Sequence, residues 1–293
     1  TYQLDCLIAA RPPLNIAAIL AKKLAGVSTH IMVTEHNTLS SQVKVNQRKS
    51  VWFRNLPQLI GTIYPYADSI VAVSEGVADD LAATAGLPRN LISTIYNPVI
   101  TPQIARLATE KPFHPWLEEK GTKPVIVSAG RLGPQKNFAL LLHAFTDLCR
   151  QLDARLVIFG EGRERPKLES LIKKLGLENN VDLPGYTSNP YAAFARASLF
   201  VLSSNYEGLG NVLIEAMSCG CPVVATDCPS GPTEILEHGR YGELVPVGDA
   251  SALAEAMQRT LNSQIEPEVL KHKALEFGLE CITEKYLKLF MHK

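Results

Sequence analysis

The sequence lacks several features that would assign it to a specialised class of protein. It has no excess of either charge, because 29 Lys and Arg residues balance 29 Asp and Glu residues over 293 positions. Such a balance gives no indication of nucleic-acid binding, and we expect none. No apolar run approaches the ~20 residues of a membrane-spanning helix, and the first residues lack the basic and apolar regions of a signal peptide. We therefore expect a cytoplasmic globular protein.

Cysteine patterns typical of metal or redox sites are also missing. The six cysteines, including the Cys219-Gly-Cys221 pair, have neither zinc-ribbon nor thioredoxin spacing. Most of them stand within apolar segments. We expect them to be buried as small apolar side chains in a reducing cytosol.

The dominant pattern alternates short β-branched segments with amphipathic segments of helical length, which predicts an α/β fold with parallel sheets. In the second half the predicted strands are 124–128, 155–159, 181–183, 199–202, 223–226 and 243–245. The helical patterns between them are 138–151, 166–175, 191–197, 210–219 and 251–262. Together they predict a complete six-stranded doubly wound domain. The first half shows only four strands, at 4–9, 31–34, 70–73 and 92–95.

These patterns divide the chain into four parts. Residues 1–110 form an incomplete Rossmann-like domain, and 111–122 form a linker within a stretch from 98 that is rich in Pro, Lys and Glu. Residues 123–266 form the complete domain. Residues 267–293 are predicted to add C-terminal helices.

Charged residues follow the strands of the second domain, at the sheet edge where ligands bind in open parallel sheets. Arg131 and Lys136 follow its first strand and could neutralise a diphosphate, Arg131 as a planar fork and Lys136 as a point charge. Glu207 and Glu215 flank the start of the helix after its fourth strand. Glu215 is placed to accept both hydroxyls of a ribose, with Glu207 at the sugar end of the same ligand.

Glycines stand between these two glutamates. Gly208 and Gly210 allow the backbone to approach a ligand closely, so that N–H groups at the helix start can face phosphate oxygens. The turn containing Gly162 and Arg163 follows the second strand and is expected to border the nucleobase.

The sequence contains no Asp-x-Asp motif, the usual means by which a sugar transferase holds a divalent cation on a diphosphate. Arg131, Lys136 and the helix N-terminus would instead stabilise the departing charge electrostatically. We therefore predict no metal site and no cofactor, the nucleotide sugar being a substrate.

Four segments resemble glycosyltransferase family 4. They are Arg131-Leu-x-x-Gln-Lys-Asn, the pair Glu207 and Glu215 separated by seven residues, the segment 211–226 that begins Asn-Val-Leu-Ile-Glu-Ala-Met, and Ser230-Gly-Pro-Thr-Glu-Ile-Leu. They occur in order at the spacing of the family, and the resemblance covers roughly residues 30 to 290. It implies a retaining enzyme of the GT-B fold, with two facing Rossmann-like domains.

The resemblance also implies a role for each matching residue. Arg131 and Lys136 would bind the diphosphate, Glu215 the ribose, and Glu207 with the following backbone the donor sugar. His36 would face the donor from the first domain, and Glu234 would lie in an acceptor-proximal loop. The predicted catalytic residues are His36, Arg131, Lys136 and Glu207. The predicted donor-binding residues are Gly162, Arg163, Gly208, Leu209, Gly210, Asn211, Glu215 and Glu234.

The segment 44–63 carries only basic charge, on Lys44, Arg48, Lys49 and Arg54, interleaved with apolar residues that include Trp52. A core helix with a basic solvated face explains this pattern. The alternative is peripheral contact with anionic lipid, or with a lipid-linked acceptor, at the inner face of a membrane.

Members of the family normally begin with a strand and a glycine-rich loop, followed by further strand–helix units, before the region that matches 4–10. We therefore expect a fragment that lacks the start of its first domain and turns over little or no donor.

The function that these observations favour is transfer of a sugar from a UDP-sugar, with GDP- and ADP-sugars as alternatives. The predicted acceptor is a glycan or lipid-linked glycan of a bacterial envelope. A non-hydrolysing UDP-sugar 2-epimerase, which needs no acceptor, and a non-catalytic nucleotide-binding fragment are the rival interpretations.

Overall fold

The computed structural model describes residues 4–46, 50–118, 123–263 and 265–291. Its first domain is a parallel sheet in the order β1-β2-β3-β4. The strands are β1 Cys6–Ala10, β2 His30–Glu35, β3 Ser69–Ala72 and β4 Ile92–Thr94. The helices that connect them are α1 Pro12–Ala25, α2 Leu39–Asn46, α3 Val51–Ile63 and α4 Glu75–Ala85. The predicted α/β class is thereby confirmed for this half.

The edge strand β1 differs from the central strands in burial. Every residue of β2 is buried, as expected for a strand covered on both faces by helices. In β1, by contrast, Leu7 and Ile8 are exposed, and α1 beside it exposes Leu14 and Leu24. This edge of the first domain therefore presents apolar surface to solvent.

The second domain is a parallel sheet in the order β10-β9-β8-β5-β6-β7, the doubly wound arrangement predicted from the sequence. Its strands are β5 Val125–Ala129, β6 Arg155–Phe159, β7 Val181–Gly185, β8 Leu199–Leu202, β9 Val223–Thr226 and β10 Glu243–Val245. Its helices are α7 Phe138–Cys149, α8 Arg165–Leu175, α9 Tyr191–Phe194, α10 Asn211–Ser218, α11 Pro232–Ile235 and α12 Ala250–Asn262. The order reverses between β5 and β8, which places the ends of these two strands at the ligand-binding edge.

The stretch from residue 98 contains two helices, α5 Pro102–Thr109 and α6 Pro115–Glu118, rather than an extended linker. Helix α5 packs against the second domain, where the Asn189 side-chain amide donates to Leu107 O at 2.9 Å. Its apolar face, which buries Ile104, outweighs the proline and charge that suggested a linker. The predicted linker residues 119–122 lie outside the described residues.

The two predicted C-terminal helices are present as α13 Pro267–Ala274 and α14 Leu279–Met291. Helix α13 packs against α10 of the second domain. Helix α14 returns to the first domain, where Ile282 is buried with Met32, Val71 and Ile95. The N–H groups of Val99 and Ile100 donate to Phe277 O at 2.9 and 3.0 Å, which joins the two segments that cross between the domains.

Among the described residues, none of the helices is both long enough and apolar enough to span a bilayer.

All six cysteines are free, but their burial varies. Cys221 and Cys228 are buried as expected, Cys6, Cys149 and Cys219 are half-buried, and Cys281 is exposed on α14. The expectation of burial was wrong for Cys281, because its position falls on the outward face of an amphipathic helix.

Candidate active site

A central cleft of about 700 Å³ lies between the two domains, at the carboxyl ends of β2, β5 and β8. It is lined by nine of the twelve predicted site residues: His36, Arg131, Lys136, Glu207, Gly208, Leu209, Gly210, Asn211 and Glu215. Their ligand roles stay predictions, but the fold brings them to one cavity. Its volume is within the usual range for small-molecule sites.

Lys136 and Glu207 form a buried ion pair at the centre of this cleft. Their side chains lie 2.7 Å apart, Lys136 Nζ to Glu207 Oε1, and are only 15% and 8% exposed. Lys136 lies across Gly130, where a Cβ would be 2.9 Å from Lys136 Cε. The glycine after β5 thus lets the lysine reach into the cleft.

Glu207 is held by further contacts from its own domain. The Ser204 hydroxyl donates to Glu207 Oε1 at 2.6 Å, and the Gln135 side-chain amide donates to the neighbouring Tyr206 O at 3.0 Å. The loops after β5 and β8 are therefore joined at Glu207. Because removing one member of a buried ion pair leaves the other uncompensated, these contacts couple the two loops energetically.

Glu215 lies on α10, below the loop of Gly208 to Asn211. Burial raises the pKa of its carboxyl group, and the nearby Lys136 and a hydrogen bond from Tyr191 oppose that rise. Burial, together with the charge of Glu215, raises the pKa of Tyr191 to about 12. Glu215 is thus a partly desolvated acceptor at the cleft wall.

His36 faces the cleft from the end of β2. The Thr34 hydroxyl donates to Ala9 O at 3.0 Å, so the same oxygen must accept from His36 Nε2, which lies 3.0 Å away. This arrangement assigns the proton to Nε2 and leaves Nδ1 as an acceptor. Desolvation lowers the pKa of His36, which favours the neutral ring.

The two domains touch at the cleft. A Cβ on Gly208 would lie 1.9 Å from His36 O, so only glycine permits this approach. The Asn97 side-chain amide donates to Asn211 Oδ1 at 2.9 Å, a second contact across the same boundary. The loop that begins α10 is therefore in direct contact with the first domain.

Three predicted residues are not among those that line the cleft. Gly162 lies against the backbone of Leu132, where a Cβ would be 2.3 Å from its carbonyl oxygen. Arg163 is exposed beside it. Glu234 contacts the first domain instead, where both of its carboxylate oxygens accept hydrogen bonds from the backbone at the start of α4. The spacing of the motifs could not reveal the position of Glu234, because it carries no information on contacts between domains.

Sequence reasoning did not identify a buried polar network next to His36. Glu35 is buried, accepts from the Asn15 amide at 2.9 Å and also accepts from the Tyr64 hydroxyl. Burial raises the pKa of Glu35 to about 7, although both hydrogen bonds lower it. The three residues are far apart in the sequence, and only the adjacency of Glu35 to His36 could have suggested a role.

A smaller side cavity of about 340 Å³ adjoins the cleft and shares His36 and Asn37 with it. Its other walls include Glu35, Arg11 and Trp52. Arg11 has a φ of 80°, an unusual conformation for a residue with a side chain. Aromatic, carboxylate and guanidinium groups therefore converge at the first-domain side of the site.

Within the described parts of the chain, no three His, Cys, Asp or Glu side chains come together as ligands for a metal ion.

Sequence comparison identifies the family. Residues 110–277 match the family described as "Glycosyl transferases group 1". Residues 1–102 match the family described as "Glycosyltransferase Family 4". The chain is 34% identical over 260 residues to the N-acetylgalactosamine-N,N'-diacetylbacillosaminyl-diphospho-undecaprenol 4-alpha-N-acetylgalactosaminyltransferase of Campylobacter jejuni, covering 89% of this chain and 68% of that one. It is 31% identical over 175 residues to the poly(ribitol-phosphate) alpha-N-acetylglucosaminyltransferase of Staphylococcus aureus, covering 58% of this chain but 36% of that one.

Structural comparison agrees on the fold. The crystal structure of Anabaena HepE in complex with UDP-glucose superimposes with a TM-score of 0.78 at 23% identity, covering 97% of this chain and 78% of that one. Such neighbours are GT-B glycosyltransferases, which confirms the predicted two-domain architecture. The matched family and the named sequence relatives are glycosyltransferases, which favours a transferase over a UDP-sugar 2-epimerase. The chain belongs to glycosyltransferase family 4 and is a glycosyltransferase of the GT-B fold.

Proposed function

We propose that this glycosyltransferase moves a sugar from a UDP-sugar to a glycan or lipid-linked acceptor, with retention of anomeric configuration and without a metal ion. The observation that carries the proposal is the convergence of Arg131, Lys136, Glu215 and the start of α10 on one cleft opposite His36. Cations, a helix N-terminus and a ribose-type acceptor group are the elements that a nucleoside diphosphate requires.

In this proposal the second domain holds the donor. Arg131 and Lys136 neutralise the diphosphate and stabilise the charge that develops on it as the glycosidic bond breaks. The first N–H groups of α10 face the same oxygens, since Gly208 to Asn211 line the cleft. Glu215 accepts the ribose hydroxyls. A UDP-glucose complex of the structurally similar HepE supports the choice of uridine nucleotide.

Glu207 acts at the donor sugar while it compensates Lys136. Its Oε1 is engaged by Lys136 and Ser204 at 2.7 and 2.6 Å. A diphosphate that approaches Lys136 competes with Glu207 for the positive charge of Lys136. Binding of the donor therefore loosens Glu207 from Lys136 and frees the carboxylate for a sugar hydroxyl.

The first domain provides the acceptor side. His36 Nδ1, left unprotonated by the Thr34 hydrogen bond, accepts a sugar hydroxyl in the cleft. The side cavity next to it gives an acceptor room to approach. The name of the Campylobacter jejuni relative specifies a diphospho-undecaprenol acceptor, which supports a lipid-linked acceptor here.

A screen of nucleotide sugars by thermal shift tests the donor assignment. A ligand present at 100 times its Kd stabilises a protein by about 2.7 kcal/mol, which a melting experiment resolves readily. We expect UDP-sugars to stabilise the chain, with EDTA and with Mg²⁺ alike. Stabilisation only by another nucleotide would overturn the choice of UDP, and a strong loss under EDTA would overturn metal independence.

A further inference from the structure

Glu234 connects the second domain to the first at a single helix terminus. It stands in α11, after the loop that follows β9. Its Oε2 accepts from Glu75 N and its Oε1 from Gly76 N, each at 2.8 Å. These are the first two residues of α4, an 11-residue helix of the first domain.

The start of α4 has N–H groups that no preceding turn of helix can satisfy. Ser74 satisfies one of them from within the first domain, since its hydroxyl accepts from Val77 N at 3.1 Å. Glu234 satisfies two more from the second domain. A carboxylate is the favoured partner here because the helix dipole is positive at this end.

The same helix terminus also contacts the donor loop. The Ser74 hydroxyl donates to Gly208 O at 2.7 Å, and Ser74 is fully buried. Gly208 belongs to the loop that leads into α10 and lines the central cleft. The start of α4 is therefore docked on two loops of the second domain at once.

The fit between the surfaces is close. A Cβ on Gly76 would lie 2.7 Å from Ser230 Oγ and 2.9 Å from Ser230 Cα. Ser230 itself has a left-handed backbone, with a φ of 69°. Tyr96 of the first domain adds a hydrogen bond to Glu234, and burial together with the charge of Glu234 raises the pKa of Tyr96.

We propose that Glu234 is a positioning residue that holds the two domains closed over the donor by capping α4 from the opposite domain. Through Ser74 and Gly208, this contact sets the position of the donor loop relative to His36. The role differs from donor or acceptor binding, since Glu234 is not part of the cleft wall. The catalytic consequence rests on the proposed transferase function, whereas the domain contact does not.

Two variants of the full chain test the contact by independent routes. Glu234→Ala removes the acceptors, and Gly76→Ala introduces a methyl group against Ser230. Gly76 has no left-handed φ, so alanine suits the helix itself and any loss arises at the domain boundary. Glu243→Gln is the matched control, because Glu243 pairs with Arg259 within the second domain.

Hydrogen exchange and small-angle scattering provide readouts that need no turnover. We expect the amides of Glu75 and Gly76 to exchange about tenfold faster in Glu234→Ala, as loss of a charged acceptor implies. The radius of gyration should increase in both test variants and stay unchanged in the control. Unchanged exchange and scattering in both variants would overturn the contact, even if no form of the chain transferred sugar.

Kinetic measurements show whether Glu234 positions the donor loop for transfer or only stabilises helix α4. We expect kcat for transfer to fall about tenfold in Glu234→Ala, while the Kd for UDP, which the second domain binds, changes by no more than about twofold. Partial recovery of kcat in Glu234→Gln, which keeps one acceptor oxygen, would support the role. Faster exchange at α4 with an unchanged kcat would show that Glu234 only caps the helix. A large rise in the Kd for UDP would show that it binds donor.

Discussion

The two domains contribute different chemistry to the cleft. The second domain provides charged groups, of which Lys136 and Glu207 compensate each other as a buried pair. The first domain provides His36, Asn37 and Asn97, and its own buried carboxylate, Glu35, is held by the neutral Tyr64 and Asn15. A charged donor needs cations, which the second domain provides, whereas the groups that the first domain brings to the cleft wall are neutral hydrogen-bonding partners. The contrast therefore matches a donor side and an acceptor side.

Removal of Lys136, one of the charged groups of the second domain, should have the largest effect on stability and on ligand affinity. Lys136→Ala leaves Glu207 buried without its cation, which costs about 3–5 kcal/mol of stability. The affinity for UDP should fall as well, by about 1.5–3 kcal/mol for a lost charge-assisted bond. Denaturant melts and calorimetry measure the two effects. Lys123→Ala, which breaks the exposed pair with Asp153, is the matched control and should change neither. If Lys136→Ala behaved like the control, the pair would have no energetic role.

The buried carboxyl group of Glu35 in the first domain is tested by the pH dependence of the free energy of unfolding. The pKa of Glu35 is raised from 4.5 to about 7, so the folded state binds a proton that the unfolded state releases between these values. The stability that this proton contributes is fully present below pH 4.5 and is lost as the pH rises through 7. The loss should amount to about 3 kcal/mol. Denaturant melts from pH 4.5 to 8 should show the free energy of unfolding decreasing with pH, and Glu35→Gln should flatten that dependence. An identical dependence in the variant would mean that other groups cause it.

Glu207 and Glu215 should differ in which part of the donor they serve. Glu215→Ala should weaken UDP and UDP-sugar alike, by about 1.5–3 kcal/mol. Glu207→Ala should weaken only the intact donor, and it should leave UDP affinity unchanged or raised because Lys136 loses its internal counter-charge. Calorimetry with both ligands distinguishes the two patterns. The reverse result would mean that the donor lies in the opposite direction along the cleft.

The smallest expected change is in lipid binding by residues 44–63, for which the sequence offered a membrane contact as the alternative to a core helix. Helix α3 buries Leu56 and Ile60, so this part of the segment is a core helix, while Trp52 and Arg54 are exposed. Arg48 and Lys49, on which the prediction also rested, lie outside the described residues. If the segment binds lipid, its affinity for anionic vesicles, measured by co-sedimentation, should weaken by about 1 kcal/mol for each basic residue removed. The affinity should also fall with added salt. Lys44→Glu with Arg54→Glu should reduce it, and salt-insensitive binding would contradict the idea.

The sequence predicted the second domain closely. Each of its strands was expected within two residues of its observed bounds, because a buried parallel strand such as Val223–Thr226 is a continuous apolar run. Its charged site residues could be predicted for a related reason, since they follow strand ends that meet at one edge. The helices within 98–122 were missed, because proline at the first position of α5 starts a helix as readily as it interrupts one.

The contacts between domains could not be predicted in the same way. Glu234 and Gly76 are separated by 158 positions, and nothing in either local pattern records their proximity. The network of Asn15, Glu35 and Tyr64 likewise depends on three elements packing together. Local periodicity reports which face of an element is buried, but not the neighbour against which it packs.

The chain passes between its two halves twice, and the passing segments are hydrogen-bonded to each other where Phe277 O accepts from Val99 and Ile100. Leu279 N donates back to Ile100 O at 2.9 Å. A single cut in the first segment would leave the halves held by the packing of α14 on the first domain. A single cut in the second would leave them covalently joined by the first, so either nicked molecule should still migrate as one particle in native chromatography. Because both connections lie side by side, the halves can separate only by turning about this narrow junction. A ligand or substitution that stiffens the junction would therefore slow this turning motion.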